Sequence, residues 1–136
     1  MTTLIAYQKR NPDSVLLAGD TRATSYVAED LHHGKFRRKG SYVFGVAGLY
    51  AFLGEVEDLS DLPEPVDDFT ESFVRREVAP LLKSAEDALL DRLGVIPPNK
   101  SHYRSQVLLT HTPSGRVFLV EDGHVSPAPH NGVICI

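Results

Sequence analysis

The sequence has little cysteine, no long apolar run and no excess of positive charge, and each shortage removes a class of protein. Cys135 is the one cysteine, so no internal disulfide can form. It lies in the apolar run Val133-Ile134-Cys135-Ile136, where a free thiol behaves as a small hydrophobe. A buried structural thiol is expected there, in a reducing cytoplasmic setting. No segment approaches the roughly 20 apolar residues of a membrane helix. The N-terminal Met-Thr-Thr-Leu-Ile-Ala-Tyr-Gln-Lys-Arg places its charges after a short apolar run, which is not the shape of a secretory signal. The formal net charge of -4 argues against a nucleic-acid partner. The basic residues Lys35, Arg37, Arg38 and Lys39 form only a short run, which by itself reads as a solvated strand end. His32, His33, His102, His111, His124 and His130 lack metal-type spacing with a cysteine or carboxylate, so surface or loop positions and no metal are expected. There is no glycine-rich phosphate loop and no nucleophile-elbow sequence.

What remains is the composition of an ordinary globular protein, at a length that suits one domain over residues 1–136. Thr3 to Tyr7 reads as a strand, Asn11-Pro12-Asp13 as a turn, and Ser14 to Gly19 as a second strand apolar enough to be covered on both faces. Ser41 to Ala47 is another buried strand. Leu49, Phe52, Leu53 and Val56 then recur at helical spacing, and Pro63-Glu64-Pro65 interrupts them. The helical pattern resumes at Val66 and runs to Leu93, with Pro80 expected to kink or divide it and Gly94 to cap it. Ser105 to Thr110 and Arg116 to Val120 form a hairpin across Thr112-Pro113-Ser114-Gly115. Asp122-Gly123 is a turn, and Gly132 to Ile136 a last strand. Strands, then helices, then strands suit a layered α+β domain better than alternating βαβ units. Glu55, Glu57, Asp58, Asp61, Asp67 and Asp68 fall on solvated faces and loops.

Four pieces occur in a telling order: Met1-Thr2-Thr3; Ala18-Gly19-Asp20-Thr21-Arg22-Ala23-Thr24; Lys35-Phe36-Arg37-Arg38; and Phe44-Gly45-Val46-Ala47-Gly48. Each alone is weak. Together they resemble the front half of the proteasome β-subunit family, which includes the HslV-type peptidase subunit. Arg116 to Val125 and Val133 to Ile136 continue the resemblance. It implies the N-terminal nucleophile hydrolase fold, an α/β/β/α sandwich, and a threonine-type endopeptidase needing no cofactor.

The resemblance also assigns roles. Removal of Met1 would give Thr2 a hydroxyl nucleophile and a free α-amine to act as its base. That amine has a reference pKa of about 7.7–8.0, near working pH. A neighbouring Lys35 ammonium would lower it, and Asp20 would hold Lys35 charged and oriented. The Gly48 backbone would bind the oxyanion. Arg22, Ala23 and Thr24 match the strand edge that pairs with a substrate backbone, and Val46 matches a position lining the first specificity pocket. Read alone, Asp20 is a turn residue, Lys35 a surface lysine, Gly48 a packing glycine and Val46 a core valine.

The family extends beyond the strand at Val133–Ile136 with a Ser-Gly turn, two helices and a supporting aspartate. These have no counterpart here, so one helical layer is expected to be incomplete and the domain C-terminally short. Apolar surface on Val15 to Ala18 and Val133 to Ile136 should then be exposed unless a partner covers it. The family works as stacked rings fed by an ATP-driven unfoldase. A homo-oligomer or a completing subunit, peptide or unfolded-protein substrates and an unfoldase partner are therefore expected. Two other readings stay open: a catalytically silent assembly protein, and an amidohydrolase acting on small amides.

Overall fold

The computed structural model describes residues 3–10, 13–20, 22–24, 28–30, 34–60 and 62–136. Strand β1 (Leu4–Arg10) pairs antiparallel with β2 (Asp13–Gly19). The Asn11-Pro12 part of the expected turn lies outside the described residues. On its other edge β1 pairs with β10 (Val133–Cys135), giving a three-stranded sheet of order β10-β1-β2. Leu4 and Ile136 exchange backbone bonds, with Leu4 N donating to Ile136 O at 2.8 Å and Ile136 N to Leu4 O at 2.9 Å. A short ribbon of β3 (Arg22–Thr24) and β4 (Ala28–Asp30) stands apart. The second sheet is five-stranded and antiparallel, in the order β5 (Phe36–Lys39), β6 (Tyr42–Ala47), β7 (Gln106–His111), β8 (Arg116–Glu121) and β9 (His124–Pro127).

The two-residue period of these strands sorts the core into two halves. Tyr42, Phe44, Val46, Val107, Leu109, Phe118 and Val120 point from the five-stranded sheet towards the helices α1 (Ala51–Asp58) and α3 (Ala79–Arg92). Leu108 and Val117 point the other way, onto Leu4, Ala6 and Ile134 of the three-stranded sheet. The layers are therefore helices, sheet and sheet. The mixed α+β architecture matches the sequence expectation, with helices among the described residues on one side of the sheets only.

The uncovered side of the three-stranded sheet corrects two readings. β2 is not covered on both faces: Val15 and Leu17 are half-buried, whereas Leu16 is 69% exposed. Cys135 is exposed rather than buried. In β10 the inward residue is Ile134, and Val133 and Cys135 flank it on the outer side. An unbroken apolar run implied two covered faces, and one of them is open. Ile5, Tyr7, Leu16 and Val133 share that open face.

The long helical segment begins at Glu71, not Val66. Thr70 is extended (φ -109°, ψ 161°) and its Oγ1 accepts the Phe73 N–H at 3.1 Å, capping α2 (Glu71–Phe73). Val66 is 99% exposed, and its apolar spacing with Phe69 was coincidental. Between α2 and α3 the backbone widens into a π-helical turn, Val74–Val78, directly before Pro80. The proline has no N–H to give the preceding turn, and the i→i+5 bond from Ala79 N–H to Val74 O accommodates the change without a break. Gly94, at φ 78°, ends α3 as expected, with Val95 N–H closing back on Leu90 O.

Candidate active site

The β1–β2 hairpin brings its two ends together. Leu4 pairs with Gly19, so Thr3 and Asp20 face each other just beyond the ladder. The Thr3 N–H donates to Asp20 Oδ2 at 2.6 Å, and the Asp20 N–H donates to Thr3 O at 3.1 Å. This reciprocal pair fixes the carboxylate against the backbone of residue 3. Its other oxygen, Oδ1, accepts from Lys35 Nζ. Lys35 stands just before β5 and is only 4% exposed. A lysine buried so far needs an anionic partner, since desolvating an unpaired ammonium costs several kcal/mol. The structure therefore brings Asp20 and Lys35 together at the amide of Thr3. Thr2 lies outside the described residues.

The lysine is delivered by strand pairing and by close packing beneath it. Phe36 pairs with Gly45, and its ring fills the space where a side chain at 45 would stand; a Cβ there would meet the ring at 2.6 Å. Arg37 secures the entry to β5, bonding Glu57 Oε1 at 2.8 Å, Tyr50 Oη at 3.1 Å and the Gly34 carbonyl at 3.0 Å.

Gly48 lies between the end of β6 and the start of α1, at φ 136°, a backbone state that favours glycine. The other predicted positions are placed differently. Arg22 to Thr24 do form a strand, and its backbone pairs with Ala28 to Asp30. Val46 is 3% exposed within the core between the five-stranded sheet and the helices.

The sequence reading missed two polar clusters. Beside Gly48, Ser105 Oγ accepts the Leu49 N–H at 3.1 Å, and the Ser105 N–H donates to Glu86 Oε2 at 2.7 Å. Glu86 is 2% exposed and its other oxygen meets Arg104 at 3.0 Å. A lone Glu in a helical stripe of apolar residues was the available signal. The second cluster corrects the placing of one histidine. His111 is 4% exposed, not on the surface: it stacks on Phe69 (centroids 4.5 Å apart) and bonds Glu64 Oε2 and Ser114 Oγ, each at 3.0 Å. Burial pushes the Glu64 carboxyl up, but hydrogen bonds to His111 and Ser41 and the charge of His111 outweigh this and hold it below the usual carboxylate range.

Volume does not mark the chemistry. A cavity of about 590 Å³ lined by Gln8, Glu71, Arg116, Val117, Phe118, Pro127 and Ala128 shares no residue with the Asp20–Lys35 pair. Among the described residues no group of three or more His, Cys, Asp or Glu is placed to hold a metal ion.

Layers and topology together give the proteasome-like N-terminal nucleophile hydrolase fold, and solved structures share it. Anbu (ancestral beta-subunit) from Yersinia bercovieri is similar at a TM-score of 0.59 and 14% identity, over 98% of this chain and 58% of that one. Thiobacillus denitrificans BPH is similar at a TM-score of 0.66 and 15% identity, over 98% of this chain and 70% of that one. The same protein in complex with Epoxomicin is similar at a TM-score of 0.56 and 17% identity, with the same coverage of both chains. The chain thus spans about three fifths of the Anbu chain and somewhat more of the other. No protein-family model matches the chain, and no curated protein matches it by sequence. At these identities the likeness is one of fold.

Proposed function

We propose that the chain is a threonine-type endopeptidase of the proteasome and HslV kind, with Thr2 as nucleophile once Met1 is removed. One observation carries the reading: a buried lysine and its carboxylate partner meet at the amide of Thr3, the atom to which the Thr2 carbonyl is covalently joined. Were the Thr2 α-amine to lie near this ammonium, its protonation would be disfavoured, leaving it free as a base. The amine takes the hydroxyl proton as Thr2 Oγ attacks the scissile carbonyl. The Gly48 N–H receives the oxyanion. The C–N bond then breaks, the leaving amine takes the proton, and water hydrolyses the Thr2 ester. Arg22 to Thr24 would pair with the substrate backbone in strand fashion, and Val46 would shape the first side-chain pocket from beneath. A chain of this fold in complex with Epoxomicin supports the choice of probe.

The substrates would be peptides or unfolded proteins, in the cytoplasm, where an exposed lone thiol such as Cys135 stays reduced. Ring assembly and an ATP-driven unfoldase belong to the same proposal. Intact-protein mass spectrometry with and without an epoxyketone tests it. Loss of Met1 and one adduct on Thr2 are expected; an intact Met1 with no adduct overturns the reading.

The open apolar face of the three-stranded sheet favours a second reading, a catalytically silent assembly protein. Equal hydrolysis of a fluorogenic peptide by wild type and Thr2→Ala would select it.

A further inference from the structure

Gly48 is pressed against a side chain from a distant part of the chain. A Cβ on Gly48 would lie 2.5 Å from Ser105 Oγ and 2.9 Å from Ser105 Cα. Ser105 Oγ also takes the N–H of Leu49, the next residue along. We infer that Ser105, seated by Glu86 and Arg104, is a positioning residue that holds the Gly48–Leu49 junction in the orientation needed to receive an oxyanion. This inference rests on the peptidase reading above.

A glycine has wide torsional freedom, so a catalytic N–H on one needs an external anchor. The bond from Leu49 N–H to Ser105 sets the plane of the peptide between residues 48 and 49. The Gly48 N–H lies in the preceding peptide plane, joined to this one through the φ (136°) and ψ torsions of Gly48, so anchoring the 48–49 peptide restricts how far that N–H can swing. The same bond commits the Leu49 N–H, leaving the amide of Gly48 as the donor at the junction.

Ser105 is itself held from behind. Its N–H reaches Glu86 Oε2 at 2.7 Å, and Glu86 Oε1 meets Arg104 Nη1 at 3.0 Å. Arg104 is gripped in turn by Asp87 at 2.7 Å and Asp122 at 3.3 Å. The chain of contacts runs from α3 and the β8–β9 turn, through the start of β7, to the first turn before α1. A buried ion pair is a poor way to gain stability, because well-packed apolar residues do as well. What Glu86 adds is direction: a carboxylate fixed at both oxygens places the serine backbone to within the tolerance that oxyanion binding demands.

The test combines amide hydrogen exchange with steady-state kinetics on wild type, Ser105→Ala and Thr2→Ala. In Ser105→Ala the Leu49 amide is expected to exchange at least about tenfold faster, because it has lost its acceptor. Leu109, at the centre of β7, keeps its wild-type rate, which shows the fold intact. On a fluorogenic peptide kcat falls about tenfold or more, while KM stays within about twofold. Unchanged Leu49 exchange overturns the anchoring. Unchanged kcat in Ser105→Ala, with Thr2→Ala inactive, overturns the positioning role. Equal rates in wild type and Thr2→Ala overturn the peptidase reading instead, and the Leu49 exchange still decides whether Ser105 holds the junction.

Discussion

Lys35 and Asp20 form one ion pair but sit in different surroundings, and substitution should expose the difference. Lys35 is almost fully buried, whereas the Asp20 side chain is 33% exposed. Asp20→Ala strips the buried ammonium of this carboxylate and removes the acceptor of the Thr3 N–H. A loss of about 3 kcal/mol is expected. Lys35→Met keeps the packing and leaves a carboxylate that water can reach, so a loss nearer 1 kcal/mol is expected. Urea unfolding of the two variants checks the order; both should also lack the proposed peptidase activity. Glu64 offers a pH-dependent counterpart. Its folded carboxyl is more acidic than the unfolded one, so the folded state binds fewer protons in acid. The stability this confers is complete above the ordinary value of 4.5 and is lost as pH falls through the lowered folded value. Glu64→Gln should therefore lower Tm at pH 7, and the difference from wild type should shrink and vanish as pH falls through that lowered folded value. The side chain is half exposed, so the effect should stay under about 1 kcal/mol.

Elements were legible where one physical signal dominated. β1, β2, β6, β7 and β8 announced themselves by β-branched and apolar runs bounded by turn residues, and Gly94 marked the end of α3. Helix initiation was harder. The apolar spacing of Val66 and Phe69 imitated a helical face, while the deciding feature was the Thr70 hydroxyl bonding the Phe73 N–H. Thr70→Ala should cost about 1 kcal/mol in thermal unfolding and fray the segment up to the π-helical turn. β3, β4 and β9 are too short and polar to carry a period. Of the candidate site, Asp20, Lys35 and Gly48 were singled out because their spacing resembled a known order, and the structure pairs the first two. Ser105 and Glu86 could not, since their roles exist only once α3 is laid across the end of β7. The burial of His111 depended likewise on Phe69, which lies far from it in sequence.

The molecule as a whole presents an unbalanced sandwich. Helices shield one face of the five-stranded sheet, but Ile5, Tyr7, Leu16 and Val133 on the outer sheet meet water. At about 25 cal/mol per Å² of apolar area, covering a few hundred Å² contributes several kcal/mol, comparable to the net stability of a small domain. Self-association through this face is therefore proposed, and Cys135 within it reports on the outcome. Light scattering at micromolar concentration should give a species heavier than 15.0 kDa, with Cys135 slow to react with a maleimide. A monodisperse monomer with a fast-reacting thiol and no binding of a hydrophobic dye would show the prediction wrong.

The mutual backbone bonds of Leu4 and Ile136 have a consequence of a different kind. In such a pair the two Cα atoms stand about 5.5 Å apart. Any polypeptide continuing past Ile136 leaves beside the strand that leads back to Thr2. If the proposed peptidase reading holds, a flexible peptide attached there would be tethered at millimolar effective concentration to the Thr2 nucleophile. The first substrate of such a peptidase would then be its own tail, at a rate that dilution could not slow.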